Sequence, residues 1–213
     1  MSSHANRLAA LREQLKADRL DGFVVPLTDE HMSEYVGSYA QRLQWLTGFE
    51  GSAGAAVVLP QEAAIFTDGR YTLQVRAQVD GANWSYQSVP EASIAEWLKE
   101  HAPEGARIGY DAWLHSRDWV KQASAALAAR GAELVAVRRN PIDAVWDDRP
   151  EASKARLIVH PDRYAGKSAA EGCGRSVQIA STGLASTGTS SAPRVASASR
   201  AAVTQPRVCS QGS

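Results

Sequence analysis

WLTGFEGSAGAAVVLPQEAAIFTDGRY, residues 45–71, holds a glycine-rich turn, two apolar runs and an Asp-Gly-Arg-Tyr corner. The runs Ala55–Leu59 and Ala63–Thr67 are separated by Pro60-Gln61-Glu62, the pattern of a buried hairpin. The glycine run 48–54 lacks the Lys-Ser/Thr pair of a phosphate loop and opens no helix. It reads as a tight turn whose glycines permit positive φ and close backbone packing ahead of the first strand. Asp68 is placed to cap a helix whose inner face is Tyr71, Leu73, Val75 and Val79. Arg70, in the first turn of that helix, opposes its dipole and needs another use for its charge. Its rigid fork of donors suits a carboxylate or a peptide carbonyl. An internal ion pair to Glu50 or Asp80 serves equally, and spacing alone leaves both open.

Outward from this stretch, helix and strand patterns alternate. Leu8, Leu11, Leu15 and Leu20 mark one face of a helix over Ala5–Leu20, closed by Gly22. Phe23-Val24-Val25 before Pro26 reads as a short, fully buried strand. A second short helix is expected to begin over His31–Tyr35. After the corner come a strand at Trp84–Val89, a helix at Ile94–His101 and a strand from Arg107. Ser116 caps a helix over Arg117–Arg130 that ends at Gly131, and Glu133–Val137 is the last strand. The alternation predicts an α/β fold, a mixed β-sheet flanked by helices, over residues 1–150. Trp146 is expected to pack back on the body ahead of a linker, residues 151–171.

Residues 172–213 differ in kind. They contain no Asp, Glu, Lys or aromatic residue and are dominated by Ser, Ala, Thr and Gly. Such a segment buries too little apolar surface to offset its ordering entropy and is expected to be a disordered tail. Its scattered Arg175, Arg194, Arg200 and Arg207 do not make a nucleic-acid surface.

The whole chain balances 23 basic against 23 acidic residues, so no net field draws it to nucleic acid or an anionic membrane. No apolar stretch reaches the roughly 20 residues that span a bilayer, and the charged, amphipathic N-terminus is not a signal peptide. A cytoplasmic location is expected. Cys173 and Cys209 lack zinc-like spacing and are expected to be free thiols. His4, His31, His101, His115 and His160 show no HExxH or HxH pairing and read as solvated or capping histidines.

The segments RLAALREQLKADRLDGFVVPLTDEHMSEYV, RLQWLTGFEGSAG, IFTDGRYTLQ, NPIDAVWDDRP and HPDRYAGKSAAE follow one another with sensible gaps. In this order they resemble the N-terminal creatinase-like domain of the Xaa-Pro aminopeptidases, of the longer, three-domain cytosolic kind, from about Leu8 to Glu171. In that family a later domain binds two manganese ions through carboxylates and a histidine, and a metal-bound hydroxide cleaves the bond before proline. The N-terminal domain lends an arginine that touches the substrate, and the DGRY match implies Arg70 as that substrate-binding residue. His31 matches a position expected to support its loop. The implied substrate is a peptide with proline at its second position.

After AGKSAAE the resemblance stops, and the metal-ligand set has no counterpart in residues 1–213. The expectation is a truncated family member, its tail the product of a reading-frame change near codon 171. It would hold no catalytic residue and no metal of its own, have no activity alone and form no oligomer without the missing domains. A stand-alone module that docks on a full-length peptidase is the alternative, and an independent hydrolase a third.

Overall fold

The computed structural model describes residues 3–33, 35–156, 161–168 and 171. The chain divides into two compact units, Met1–Ser153 and Lys154–Ser213. The first unit contains a six-stranded sheet: β1 (Gly22–Pro26), β2 (Gly54–Val58), β3 (Ala63–Asp68), β4 (Ser85–Val89), β5 (Arg107–Tyr110) and β6 (Glu133–Ala136), in the order β4-β3-β2-β1-β5-β6. β2 is antiparallel to both β1 and β3, while the β3–β4, β1–β5 and β5–β6 pairs are parallel. Five strands therefore point one way and β2 alone returns.

Side chains alternate across a strand, and β1, β2 and residues 63–66 of β3 are apolar throughout, so each contributes to two cores. Phe23, Val25, Ala56, Val58 and Ile65 pack on one face with α1 (His4–Ala17), α2 (Arg42–Thr47), α3 (Thr72–Gln78) and α6 (Pro141–Val145). Val24, Val57, Ala64 and Phe66 pack on the other with α4 (Ile94–His101) and α5 (Arg117–Ala128). This is the mixed, helix-flanked sheet that the sequence predicts.

Three local expectations need correction. Helix α1 buries Leu8, Leu11 and Leu15 but stops at Ala17, and the left-handed residue that reverses the chain is Arg19, φ 57°. Gly22 lies instead in β1, where a Cβ would meet Leu59 Cδ2 at 2.7 Å and Val58 O at 2.9 Å. Among the described residues of His31–Tyr35 no helix begins. The Asp29 carboxylate organises the loop there by accepting the N–H groups of His31 and Ser33 at 3.0 and 2.9 Å. A side chain that binds nearby N–H groups competes with helix formation. Leu73 is 83% exposed rather than on the inner face of α3, where Val75 and Val79 carry the burial.

Caps match the sequence signals elsewhere. Ser93, Ser116 and Asn140 accept N–H groups of the first turns of α4, α5 and α6, and Gly131 adopts φ 68°. Trp146 packs back as expected, 8% exposed and stacked on Trp45 at 5.4 Å. In the second unit, α7 (Asp162–Ala165) is short, and Ser168 exchanges hydrogen bonds with Glu171. Cys173, Cys209, His160 and the tail 172–213 lie outside the described residues. Among the described residues, no helix is long and apolar enough to cross a membrane.

Candidate functional site

The hairpin β2–β3 brings its two open ends to one edge of the sheet. Gly54 pairs with Thr67, so the glycine turn before β2 sits beside the corner that follows β3. Asp68 caps a 3-10 turn over Gly69–Tyr71 by accepting the Arg70 N–H at 3.0 Å. The same carboxylate accepts from Arg70 Nε at 3.0 Å and from Nη2 at 2.7 Å. Arg70 thus pairs with Asp68, two residues away, where spacing left Glu50 or Asp80 open. Arg70 is 68% exposed and Asp68 31%. Hydrogen bonds from Arg70 hold the Asp68 carboxyl below the usual carboxylate range.

Tyr71 is fixed from the turn. Its hydroxyl lies 2.6 Å from Ser52 Oγ, a bond that pushes the phenol below its ordinary value. The Phe49 ring meets Tyr71 edge-on at 5.6 Å, and the Arg70 guanidinium lies 5.3 Å from the Tyr71 centroid. The turn has to be glycine for this. A Cβ on Gly51 would come within 2.2 Å of Phe49 Cζ and 2.8 Å of Tyr71 Cδ1. Gly48, at φ 82°, ends α2 in a conformation that L side chains rarely adopt. The glycine run is therefore the structural turn that the sequence implies, and its function is to seat the DGRY corner.

The corner stands at the carboxyl end of the five like-directed strands, where ligands of open α/β sheets commonly bind. Val89, the last residue of β4, is exposed, as are Leu73, five residues past β3, and Trp113, three residues past β5. Beside the glycine turn a cavity of about 210 Å³ is lined by Leu27, Tyr35, Gln41, Phe49, Glu50 and Ser52, among others.

A second arginine escaped the sequence reading. Arg42, on α2, donates from Nε and Nη2 to Asp143 on α6 at 2.7 and 2.9 Å. Arg149 adds a contact to Asp143 at 2.6 Å and donates from Nε to Tyr39 O. With the Trp45–Trp146 stack, this fastens the segment leaving the sheet to the helical face. Partners 101 positions apart leave no signal in local spacing.

The histidines do not converge. His101 stacks on Trp97 at 4.3 Å and pairs with Glu62 at 2.8 Å. His115 bonds through Nδ1 to Asp111 O at 2.8 Å, packs on Trp119 at 4.2 Å, and its buried Nε2 has no partner among the described residues. Burial pushes its pKa below the ordinary imidazole value, partly opposed by Asp111. His31 contributes its backbone N–H to the Asp29 loop. Among the described residues, no group of three or more His, Cys, Asp or Glu is placed to hold a metal. The donor set needed for a manganese pair does not fit here.

The fold is an open mixed sheet with an arginine corner at the carboxyl end of its like-directed strands. The chain belongs to the Creatinase/Prolidase N-terminal domain family, whose pattern matches residues 7–144. It is 41% identical over 162 residues to Xaa-Pro aminopeptidase 2 of Sus scrofa, a match covering 75% of this chain and 24% of that protein. A probable Xaa-Pro aminopeptidase P of Aspergillus clavatus is 38% identical over 170 residues, covering 77% of this chain and 25% of the relative. The chain thus spans about a quarter of the length of the curated relatives it matches. The X-prolyl aminopeptidase of Caenorhabditis elegans, described as a cytosolic enzyme with a di-nuclear active site, superposes with TM-score 0.71 at 27% identity. That match covers 86% of this chain and 32% of the nematode chain. The N-terminal domain of the cytoplasmic peptidase PepQ from Mycobacterium tuberculosis shares the fold, with TM-score 0.51 at 24% identity.

Proposed function

We propose that this chain is the substrate-recognising N-terminal domain of an Xaa-Pro aminopeptidase, with Arg70 as the residue that contacts the peptide. The observation that carries the reading is the DGRY corner: an exposed guanidinium, oriented by Asp68 and backed by a fixed Tyr71. It lies within a segment similar to Xaa-Pro aminopeptidases over three quarters of the chain. The substrate is a peptide with proline at its second position. The two manganese ions go with the catalytic domain that the family resemblance implies; among the described residues no group of donors fits them. A cytoplasmic location goes with this reading, by analogy with the cytosolic nematode enzyme.

An arginine that binds ground and transition states equally does not accelerate the chemical step. Amide hydrolysis also needs an activated water and a stabilised oxyanion. The 213-residue chain alone is therefore a binding half-site without turnover. Two measurements test this. Incubation with Mn²⁺ and Ala-Pro-Ala yields no free alanine; chelator-sensitive release that co-purifies with the chain overturns the half-site. In NMR titrations the same peptide shifts the Arg70 and Tyr71 amide signals of the native chain and leaves those of Arg70→Ala unmoved; equal shifts in both remove Arg70 from recognition.

A further inference from the structure

The sequence contains three Asp-Gly bonds, at 21–22, 68–69 and 80–81. Glycine has no Cβ to screen its amide nitrogen, so an Asp-Gly bond is the kind most open to spontaneous isomerisation. The glycine nitrogen gives up its proton and attacks the aspartyl Cγ. A C–N bond closes a five-membered imide as the protonated carboxyl loses its hydroxyl, and one water leaves. Water then adds to either imide carbonyl. Opening at the main-chain carbonyl leaves isoaspartate, an isomer of the same mass with one extra atom in the backbone. The reaction needs a protonated carboxyl that is free to turn and a backbone free to bring the nitrogen beside Cγ.

The structure sets the three bonds in different surroundings. Gly22 is buried in β1 and paired with Ile108, and the Asp21 carboxylate accepts the Arg107 N–H at 2.8 Å. That bond is held on both sides while the sheet is intact. Gly69 is exposed, with open space around it, but Asp68 is held. It ends β3 in an extended conformation, ψ 172°, in register with Val89 of β4. Its carboxylate accepts the Arg70 N–H, Nε and Nη2, and the side-chain bonds lower its pKa and keep it ionised. Asp80 and Gly81 are both exposed in the turn between α3 and β4. There the carboxylate accepts neutral groups of its own turn, the Ala82 N–H at 2.9 Å and Asn83 Nδ2 at 2.8 Å. Among the described residues Asp80 takes part in no ion pair.

We infer that Asp80–Gly81 is the site at which the folded chain isomerises, and that the pair with Arg70 withholds Asp68–Gly69 from the same reaction. This holds whatever Arg70 binds. At residue 68 an extra backbone atom would break the register with Val89 and displace Arg70. At residue 80 it lengthens a surface turn, the kind of segment that tolerates insertion. The corner keeps its geometry as the chain ages.

The test holds the whole chain for weeks at neutral pH in water enriched in heavy oxygen, which tags every aspartate that passes through the imide. Tandem mass spectrometry after digestion in ordinary water locates the tags. In the native chain Asp80 gains label at least about twofold faster than Asp68, and Asp21 gains none. Arg70→Ala, which removes an exposed ion pair, raises the Asp68 rate about two- to fivefold and leaves Asp80 as it was. Asp21 reports unfolding within each sample; where its label shows that Arg70→Ala has opened the sheet, Arg70→Gln makes the same comparison. A native chain in which Asp68 gains label as fast as Asp80, or faster, overturns the inference without any variant. So does an Asp68 rate that stays at its native value when Arg70 is replaced and Asp21 remains unlabelled.

Discussion

Arg42 and Arg70 make the same ion pair in two settings. Each presents Nε and Nη2 side-on to one carboxylate, at 2.7 and 2.9 Å for Arg42 and at 3.0 and 2.7 Å for Arg70. The Arg42 side chain is 7% exposed and that of Arg70 68%. Their partners lie 101 and two positions away. Identical geometry therefore serves opposite ends. Burial and long sequence separation make the Arg42 pair a fastening, because removing one partner strands a desolvated charge. Exposure and a local partner make the Arg70 pair nearly irrelevant to stability and leave its guanidinium oriented toward solvent.

The most severe way to probe the contrast is Asp143→Ala, which leaves Arg42 and Arg149 without their shared carboxylate. Loss of about 3–5 kcal/mol is expected, a fall in Tm of about 10 °C, measured by thermal or urea unfolding. A change as small as that of an exposed pair would erase the distinction. Trp146→Ala, which removes the stack on Trp45, should cost about 3 kcal/mol in the same assay.

Gly51→Ala carries the comparison to the other region. The added methyl collides with Phe49 and Tyr71, at a cost of about 1–3 kcal/mol, and chemical shifts should move at Ser52 and Tyr71 while the Arg42 region stays as it is. His115 supplies a pH-dependent probe that belongs to neither ion pair. Its folded pKa is depressed by burial, so the unfolded chain binds the proton first. The stability that this ring contributes is complete above about pH 6.5 and is lost as pH falls through its folded value. His115→Phe should flatten the dependence of Tm on pH between about 7 and 5; an unchanged slope assigns that dependence to other groups. Arg70→Ala has the smallest expected effect, a Tm shift of no more than about 2 °C. A larger fall places Arg70 among the structural residues.

What could be read from the sequence follows the range of the interactions. Ile94–His101 matches α4 because the apolar spacing that marks it is local; the Ser93 cap is added by the structure. The hairpin across Pro60–Glu62 is equally local. Gly22 was misjudged as a helix stop because its requirement is steric contact with Leu59 and Ile108, which no local pattern reveals. Leu73 looks like a core position by spacing, yet the 3-10 turn before α3 changes the phase of the helix and leaves it in solvent. Of the candidate site, Arg70 was readable through its motif. Its bond to Asp68, two residues away, does not follow from the spacing to Glu50 or Asp80. Ser52 and Gly51 as supports of Tyr71 depend on the register of two strands and emerge only when the hairpin is built.

The lone reversed strand has a practical consequence. Because β2 runs against its neighbours, the closed end of the hairpin, where Leu59 N–H bonds to Glu62 O, lies a full strand length from Arg70, about 17 Å at the usual rise. Pro60 and Gln61 are both exposed, and lengthening such a loop costs little closure entropy. A fluorescent reporter or affinity tag spliced between them would travel with the domain without touching the Arg70 corner. The β2–β3 hairpin thus offers an engineering handle at one end and the arginine at the other, and the two can be altered independently.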